Sequence, residues 1–501
     1  MYQWGLILLI PFLLFAVAGG AENDNFYKNV TFPKQLDPQL ALIGPSRIQL
    51  GKSVELQLVS LAKDGEPSDM PNPPVVICEG PVTPGTDDAG NTIYIEFQKK
   101  VTGIYKPKTS VSFLEKGYYL LTAKDQKGDF LPFGLPVYVD EKPPDLQLHW
   151  GDLHGHSTLS DGLHPAEEYY RWARDVACMD VMALTDHNWA LNDEKIRKMQ
   201  SLCKEWYKPG KFVPFFAFEW AMGAGRKSPS RGRPHHKHLV FRHADEKLAP
   251  WMPLWHNTPS VAKLWEMLEG RDVIAVPHHT GLPHATHFGT DWSLHSEKFE
   301  RLAEVFSDWG SSEMKGDRYQ LPEVEEGNFL RDALAAGYHI GFVGGSDTHR
   351  SRPGLNALPR MGHPYALTAL TAIEAPERTR ESLWKALYNQ RCYATSGGRR
   401  HLLDFSVNGA PMGSRLEQSS ASPRKIEITV AGSTDIVEII IVKNGKQVAS
   451  FPGKGWCCKV SWIDREPSEK KEDFYYARAE MKDTSMAWSS PVWVMPPSGS
   501  E

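Results

Sequence analysis

Five short apolar runs between residues 147 and 350 end in side chains that can bind a metal ion, and this pattern constrains the fold more than any other feature of the sequence. The runs end in His154-Gly155-His156, Thr185-Asp186-His187, Glu219, His278-His279 and Asp347-Thr348-His349. Segments with helical periodicity lie between or after them, at residues 166–177, 192–207, 260–268, 328–336 and 381–389. Such alternation is typical of an α/β fold, open or barrel-like, with a mostly parallel sheet. Because the carboxyl ends of parallel strands open onto one face, the sequence predicts that these side chains converge.

The spacing of the motifs fits metal coordination. His154 and His156 lie two residues apart in extended chain, roughly 6.6 Å along it and on the same side, and Asp347 and His349 repeat this spacing. A carboxylate such as Glu219 can bridge two ions. Each short motif alone is weak evidence, but five of them at strand ends together favour a metal site. Histidine and carboxylate ligands suit zinc, manganese or iron.

The sequence on either side of this middle part is rich in predicted strands. Short alternating runs predict an N-terminal β-sandwich-like domain over residues 25–145. Similar runs, with an Asn444-Gly445 hairpin turn, predict a C-terminal one over residues 402–497. The α/β part then occupies residues 147–400.

The N-terminus and the charge of the chain indicate where it works and what it does not bind. Residues 6–18 are apolar and small residues follow them, so residues 1–21 are predicted to be a signal peptide and the mature protein to be secreted or periplasmic. Thirteen apolar residues are too few to cross a bilayer, which takes about 20, and no transmembrane helix is expected after signal removal. With 56 basic and 61 acidic residues, the chain shows no broad basic footprint, and no nucleic-acid partner is expected.

Several motifs resemble those of the PHP (polymerase and histidinol phosphatase) superfamily. The stretch from Asp152 to Ser157 with Ser160-Asp161-Gly162 resembles its first motif, Leu184 to Asn188 its second, and Gly345 to His349 its last. The later sequences Tyr393-Ala394-Thr395-Ser396-Gly397 and Ala487-Trp488-Ser489-Ser490-Pro491 look like its CehA/McbA-type metallohydrolase branch. The resemblance covers about half of the chain.

This resemblance implies a distorted seven-stranded (β/α) barrel that holds two or three divalent ions. His154, His156, Glu219 and Asp347 would bind one ion. A second would share Glu219 and take one histidine from the 235–238 cluster, with His236 ahead of His238, and one from the pair that follows residue 277, with His278 ahead of His279. Asp161, His187 and His349 would bind a third.

The expected function is an exported metal-dependent hydrolase. A hydroxide bridging two ions would attack an ester-type bond of a small molecule, either a phosphoester or a carboxyl or carbamate ester, with Glu219, His187 and Asp347 as the catalytic ligands. The alternative is a non-catalytic metal-containing module that recognises a glycan or a protein partner. Structural zinc sites usually have four protein ligands, whereas nine ligands over three ions leave positions open, which favours catalysis.

A basic segment suggests that the substrate is anionic. Residues 225–234 carry four basic side chains and no acidic one, and their glycine, serine and proline content predicts a loop between two ligand regions. Arg233 from this loop and Arg350 after the last ligand motif are predicted to bind substrate, together with His279. Arg352 is expected to face the same opening.

Overall fold

The computed structural model describes residues 39–61, 67, 75–82, 92–96, 108–124, 134–222, 235–245, 258–284, 288–321, 323–354, 368–468 and 471–497. All of them belong to one compact unit, Lys34–Glu501. The predicted signal peptide, residues 1–21, and the predicted basic loop with Arg233 lie outside the described residues.

The N-terminal part contains two sheets that share a core. Its strands are β1 (Gln39–Ile43), β2 (Arg47–Gln49), β3 (Ser53–Leu61), β4 (Val75–Val82), β5 (Thr92–Glu96), β6 (Lys108–Ser112), β7 (Gly117–Lys124) and β8 (Leu135–Asp140). One sheet has the order β1-β3-β6 and the other β2-β8-β7-β4-β5. Buried side chains from both sheets, such as Leu56 and Leu58 from the first and Leu121 and Val137 from the second, belong to one apolar cluster. This arrangement is that of a sandwich.

The middle part begins with parallel strands and then departs from the α/β pattern. Its strands are β9 (Gln147–Asp152), β10 (Val181–Leu184), β11 (Val213–Trp220), β12 (Lys237–Phe241), β13 (Val273–Pro277), β14 (Leu302–Ser307), β15 (Gly310–Ser311), β16 (Gly341–Gly344), β17 (Ala369–Ala375) and β18 (Cys392–Ser396). β9, β10 and β11 are parallel neighbours. β12 and β13 then pair antiparallel, as do β17 and β18 on the other side of β9.

The expected seven-stranded (β/α) barrel is wrong. Among the described residues, strand pairing leaves several separate sheets and no closed barrel, and the 28 strands outnumber the five α-helices. β18 pairs with β17 on one side and with β27, a C-terminal strand, on the other, so the sheet continues into the next part of the chain. β14, β15 and β16 form their own three-stranded sheet.

Between β16 and β17, the side chain of Thr371 makes the hydrogen bonds that backbone groups would make if the two strands were paired in one sheet. The N–H of Gly344 in β16 donates to Oγ1 of Thr371 in β17 over 3.1 Å, and that hydroxyl donates to the Gly344 carbonyl over 2.7 Å. Leu302 of β14 and Val343 of β16 join the apolar cluster beneath the large sheet. The small sheet therefore packs against the large one instead of extending it.

The C-terminal part adds strands to the large sheet and forms a smaller one. Its strands are β19 (Leu402–Val407), β20 (Ala410–Pro411), β21 (Arg415–Glu417), β22 (Arg424–Ala431), β23 (Ile436–Lys443), β24 (Lys446–Pro452), β25 (Cys457–Asp464), β26 (Asp473–Met481), β27 (Met486–Ser489) and β28 (Val492–Met495). The large sheet has 13 strands in the order β13-β12-β11-β10-β9-β17-β18-β27-β26-β23-β24, with β28 and β21 beside β26. The smaller sheet has the order β20-β19-β22-β25. Hydrogen bonding thus crosses the boundary expected near residue 401.

The five α-helices lie close to where the sequence periodicity predicts them. They are α1 (Ala166–Arg171), α2 (Asp193–Trp206), α3 (Val261–Leu268), α4 (Leu330–Ala335) and α5 (Arg380–Tyr388). The side chains of Asn192, Ser260 and Thr379 cap α2, α3 and α5 by accepting a backbone N–H from the first turn. α1 runs on into a π-helical turn, Trp172–Val176. None of the helices in the described part of the chain has the length and apolar character needed to cross a membrane.

Candidate metal centre

The chain segments that follow β9, β10 and β16 lie side by side at one end of the middle part. Gly155 forms a parallel bridge with Thr348, and His187 forms one with Glu219. Backbone bonds connect the same segments, because the His156 N–H donates to the Thr348 carbonyl over 2.9 Å. The strand ends predicted to converge do so.

Two buried aspartates hold these segments in place. Asp152 accepts backbone N–H groups from His154 and Ser346 through Oδ1, over 3.1 and 3.0 Å. Asp186 accepts the hydroxyls of Ser157 and Ser160, over 2.7 and 2.6 Å. Both carboxylates thereby fix the backbone of the segments that carry His154 and His156.

The carboxylate of Glu219 lies at the middle of the histidine cluster. Its Oε2 is 3.5, 3.3 and 3.4 Å from ring nitrogens of His154, His156 and His187. Its Oε1 contacts Nδ1 of His236 and lies 3.1 Å from Nε2 of His278. Glu219 is 1% exposed, so these histidines replace water around it. The two oxygens therefore face two different groups of histidines.

Asp347 lies beside the first of these groups. Its Oδ1 is 3.3 Å from His154 Nε2, 3.2 Å from His156 Nε2 and 3.5 Å from His349 Nδ1. Its backbone has φ of 52°, a left-handed conformation that a non-glycine residue rarely adopts. Strain of this kind is concentrated at functional sites, where the surroundings enforce it.

A third group reaches the surface. Asp161 Oδ2 is 3.6 Å from His187 Nε2 and 3.5 Å from His349 Nε2, and the His156 ring packs on His349 with centroids 4.2 Å apart. Asp161 is 39% exposed and His349 31% exposed, whereas His187 is only 10% exposed. This group forms the accessible side of the cluster.

His238 and His279 also lie in the cluster. His238 faces Glu219 across the β11–β12 register, and its ring lies 3.8 Å from that of His154 and 4.2 Å from that of His278. His279 contacts the His236 ring at 5.4 Å and has φ of 35°. Both rings are buried. The alternative ligands His238 and His279 therefore lie within the same cluster as the preferred ligands His236 and His278.

The electrostatics of the cluster favour a cation. Burial alone would raise the pKa of Glu219, but His187, His278 and His236 hold it well below its usual range. Burial lowers the pKa of His187 to about 3 and that of His278 to about 4. These two imidazoles are therefore neutral at pH 7, the form that binds metals.

The donor atoms fit a multinuclear site. Four groups of described residues place their ligand atoms within 4.8 Å of one another. The groups are His156, Asp161, His187 and His349; Glu219, His236, His278 and His279; His154, His238 and His278; and His154, His156 and Glu219. Several ring nitrogens, among them Nε2 of His154, Nδ1 of His187 and both nitrogens of His236, are buried and make no hydrogen bond. Buried polar atoms normally have partners, and metal ions would supply them here.

The structure brings the nine residues predicted as ligands together. It does not give all of the residues predicted to bind substrate a position that fits that role. The ligand set is His154, His156, Asp161, His187, Glu219, His236, His278, Asp347 and His349. His279 falls among candidate ligands instead of standing apart. Arg350 is half-buried next to His349. Arg352 is buried, stacks on Trp172 at 4.4 Å and lies 3.6 Å from Glu168, so it does not line an open face.

One buried carboxylate of the cluster was missed. Glu304 in β14 has Oε2 3.0 Å from His154 Nδ1, and burial raises its pKa to about 7. The signal was a glutamate inside the apolar run Leu302-Ala303-Glu304-Val305-Phe306. A charged residue at a buried position requires a partner.

The chain resembles sequences whose function is not described. A model of the family described as "Protein of unknown function (DUF3604)" matches residues 173–296, a stretch that contains His187, Glu219, His236 and His278. An uncharacterized protein of Chlamydia muridarum is 27% identical over 416 residues, covering 76% of this chain and 63% of the relative. An uncharacterized protein of Chlamydia trachomatis is 26% identical over 414 residues with the same coverage. The chain thus spans about 63% of the length of these curated relatives.

Similarity to solved structures is weak. A mutant alpha-2-macroglobulin of Salmonella has a TM-score of 0.19 and 8% identity, covering 93% of this chain and 24% of that one. Native alpha-2-macroglobulin of E. coli has a TM-score of 0.18 and 9% identity, covering 93% and 23%. Scores this low carry no argument about the fold or the function.

Proposed function

We propose that this protein is a metal-dependent hydrolase that cleaves an ester-type bond with two or three divalent ions, zinc, manganese or iron. The observation that carries the proposal is the position of Glu219, whose Oε2 faces His154, His156 and His187 and whose Oε1 faces His236 and His278. A carboxylate between two sets of imidazoles is suited to bridging neighbouring cations. The resemblance of the motifs to PHP metallohydrolases supports the same reaction class. The fold adds no such support, because the described residues do not form the expected barrel.

Divalent ions in such a site lower the pKa of a coordinated water from about 15.7 to about 7 and polarise the bond under attack. The chain supplies the other requirements. Asp347, with its left-handed backbone, and Glu219 would supply the negative charge that divalent ions need, and the surrounding burial excludes bulk water from the inner histidines. Asp161, His187 and His349 form the accessible side, through which a substrate would approach.

The number of candidate ligands supports catalysis over a purely structural role. Structural zinc sites are closed by four protein ligands. Here nine predicted ligands serve two or three ions, and one group is partly exposed to solvent. Free coordination positions on that side would admit a water and a substrate.

The substrate class is proposed from charge. Arg350 lies directly after His349 at the accessible side, and a guanidinium suits phosphate or carboxylate oxygens. We therefore favour an ester that is a phosphate or carries a carboxylate. Export to the periplasm or the medium is proposed from residues 1–21 alone.

The test is a panel of phosphomonoesters, phosphodiesters, carboxyl esters and carbamates, each assayed with zinc, manganese and iron. Glu219→Gln should abolish the turnover found with the wild type and lower the metal content. Glu374→Gln is the matched control, because Glu374 is a strand carboxylate that is 6% exposed and pairs with Arg47 and Arg391 away from the centre. Metal binding without turnover on any ester would favour the non-catalytic binding module.

A further inference from the structure

A second cavity lies at the opposite ends of the parallel strands from the candidate metal centre. It has a volume of about 460 Å³ and is lined by the start of β9, by the residues just before β10 and β11, and by the segment between β1 and β2. Sites for small molecules typically measure roughly 300–1,000 Å³. Its lining residues belong to the N-terminal sheets and to the middle part, and none of them is a candidate metal ligand.

The lining of this cavity is rich in cations. Its charged side chains are Arg174, Lys211, Arg378, Arg400, Glu55 and Asp180. Asp180 is already used, because its Oδ1 lies 2.7 Å from Arg378 Nη2 and its Oδ2 accepts the Trp150 N–H over 2.9 Å. Four basic groups thus face two acidic ones in a protein whose net charge is −5.

Arg400 is the buried cation at the base of the cavity. It is 9% exposed, and its Nη2 donates to the carbonyls of Ala177 and Cys178 over 3.2 and 2.9 Å. These carbonyls accept hydrogen bonds from the guanidinium but do not neutralise its charge. Within the described residues no carboxylate oxygen lies at ion-pair distance from Arg400, and Asp180, the carboxylate that acts on it from farther away, is already paired with Arg378. A buried charge without a counterion in direct contact is costly, and an anion in the cavity would relieve that cost.

Arg378 and Lys211 line the same cavity and are more exposed to solvent than Arg400. Arg378 is held by three contacts, since its Nη1 donates to the Lys211 carbonyl over 3.0 Å, its Nε lies 3.5 Å from His149 Nδ1 and its Nη2 pairs with Asp180. The Lys211 side chain is exposed. One cation is therefore preorganised and one is exposed to solvent, which suits capture of a soluble anion.

We propose that this cavity binds a small molecule through an oxyanion group, phosphate or carboxylate, held by Arg400 with Arg378 and Lys211. The bound anion would lie between the N-terminal sheets and the middle part and stabilise their contact. This site is independent of the proposed hydrolase activity, because it lies at the other ends of the strands and shares no residue with the metal cluster.

The test is calorimetric titration of the metal-loaded protein with inorganic phosphate and, separately, with citrate, at constant ionic strength. Arg400→Met and Lys211→Ala should each weaken binding at this cavity by about tenfold or more, since each removes a charged donor. Lys208→Ala is the matched control: Lys208 is an exposed lysine of the same turn that does not line the cavity, and its removal should leave affinity unchanged. Tighter binding of phosphate or of citrate shows whether the cavity prefers a phosphate or a carboxylate group.

Phosphate could also bind the metal centre, so the two events must be separated. Binding at the cavity should be unchanged in Glu219→Gln and weakened by about tenfold or more in Arg400→Met, whereas binding at the metals should be weakened in Glu219→Gln and unchanged in Arg400→Met. Equal affinity in the wild type and in both cavity variants, or no binding of either anion, would overturn the proposal. Lys211→Ala keeps the test open if Arg400→Met does not fold, because the exposed Lys211 side chain contributes little to packing.

Discussion

His154 Nδ1 and Glu304 Oε2 lie 3.0 Å apart with both side chains buried, so a carboxylate fixes the orientation of a central histidine of the candidate metal centre. With Nδ1 engaged by Glu304, the other ring nitrogen, Nε2, faces Glu219 and Asp347 at 3.5 and 3.3 Å. A metal-binding histidine typically donates its second N–H to such a partner, which fixes its tautomer and raises its basicity.

We predict that Glu304→Gln lowers metal affinity by about 10–100-fold while the fold persists. The amide has the same shape and its oxygen can still accept the His154 N–H, but it lacks the negative charge with which a carboxylate makes the imidazole more basic. Competition with a chromogenic chelator measures the affinity, and near-ultraviolet circular dichroism checks the packing. Glu374→Gln, which neutralises a buried carboxylate elsewhere, should leave the affinity unchanged; the same loss in both variants would mean that Glu304 has no particular role at the centre.

The convergence of the ligands could be predicted because strand polarity determines it. His154 and His187 follow the parallel strands β9 and β10, Glu219 lies near the end of β11, and parallel strands have their carboxyl ends at one edge. His278 reaches the same cluster although it follows the antiparallel strand β13, because two antiparallel pairings restore the direction of β11.

The barrel could not be excluded from the sequence, because its closure depends on pairing between distant strands. Local periodicity is the same whether β18 pairs with β16 or with β27, and the structure selects β27. The Thr371 hydroxyl that bonds both backbone groups of Gly344 gives no signal in the sequence either. Glu304 was detectable in principle as a charge within an apolar run, but its partner, His154, is 150 residues away.

We expect the purified mature protein to contain two or three divalent ions. The reason is that several buried histidine ring nitrogens around Glu219 have no hydrogen-bond partner. Elemental analysis of the purified and the reconstituted protein gives the number. Chelation should lower the melting temperature, because ions that bind only the folded state stabilise it. Absence of any bound ion after reconstitution would contradict both the site and the proposed reaction.

A pH prediction concerns His401, which lies outside the metal cluster. Its Nδ1 accepts the Ser433 N–H over 3.0 Å, so Nε2 carries the proton and donates to Ser485 Oγ over 2.9 Å. Burial is the largest cause that lowers its pKa from 6.5 to about 4. Between these two pKa values the imidazole is protonated in the unfolded chain and neutral in the folded chain. The free energy of unfolding therefore falls as the pH drops from 6.5 towards 4, by up to about 3 kcal/mol.

The measurement is urea unfolding of the chelated protein at pH 7 and pH 4.5. His401→Gln should lose less stability on acidification than the wild type, because it no longer has the imidazole that must stay neutral. His243→Gln is the control, since His243 is 54% exposed, and it should follow the wild type. Identical pH dependence in all three proteins would show that His401 does not contribute to acid sensitivity.

The last prediction distinguishes His236 from His238, two buried histidines on either side of Lys237. The ring nitrogens of both residues are buried and make no hydrogen bond, so the difference between them is that His236 Nδ1 contacts Glu219 Oε1 directly. His238 stacks on the ring of His278 and meets the ring of His154 edge-on, a position that supports ligands without contacting the shared carboxylate. We expect His236→Gln to weaken metal binding by more than the roughly 100-fold upper range of an outer partner, and His238→Gln to stay within about 10–100-fold. The two variants are matched in residue type and burial, and metal content after dialysis against a chelator compares them. A larger loss in His238→Gln would assign that residue as the ligand and His236 as its support, since only a direct bond to the ion explains the greater effect.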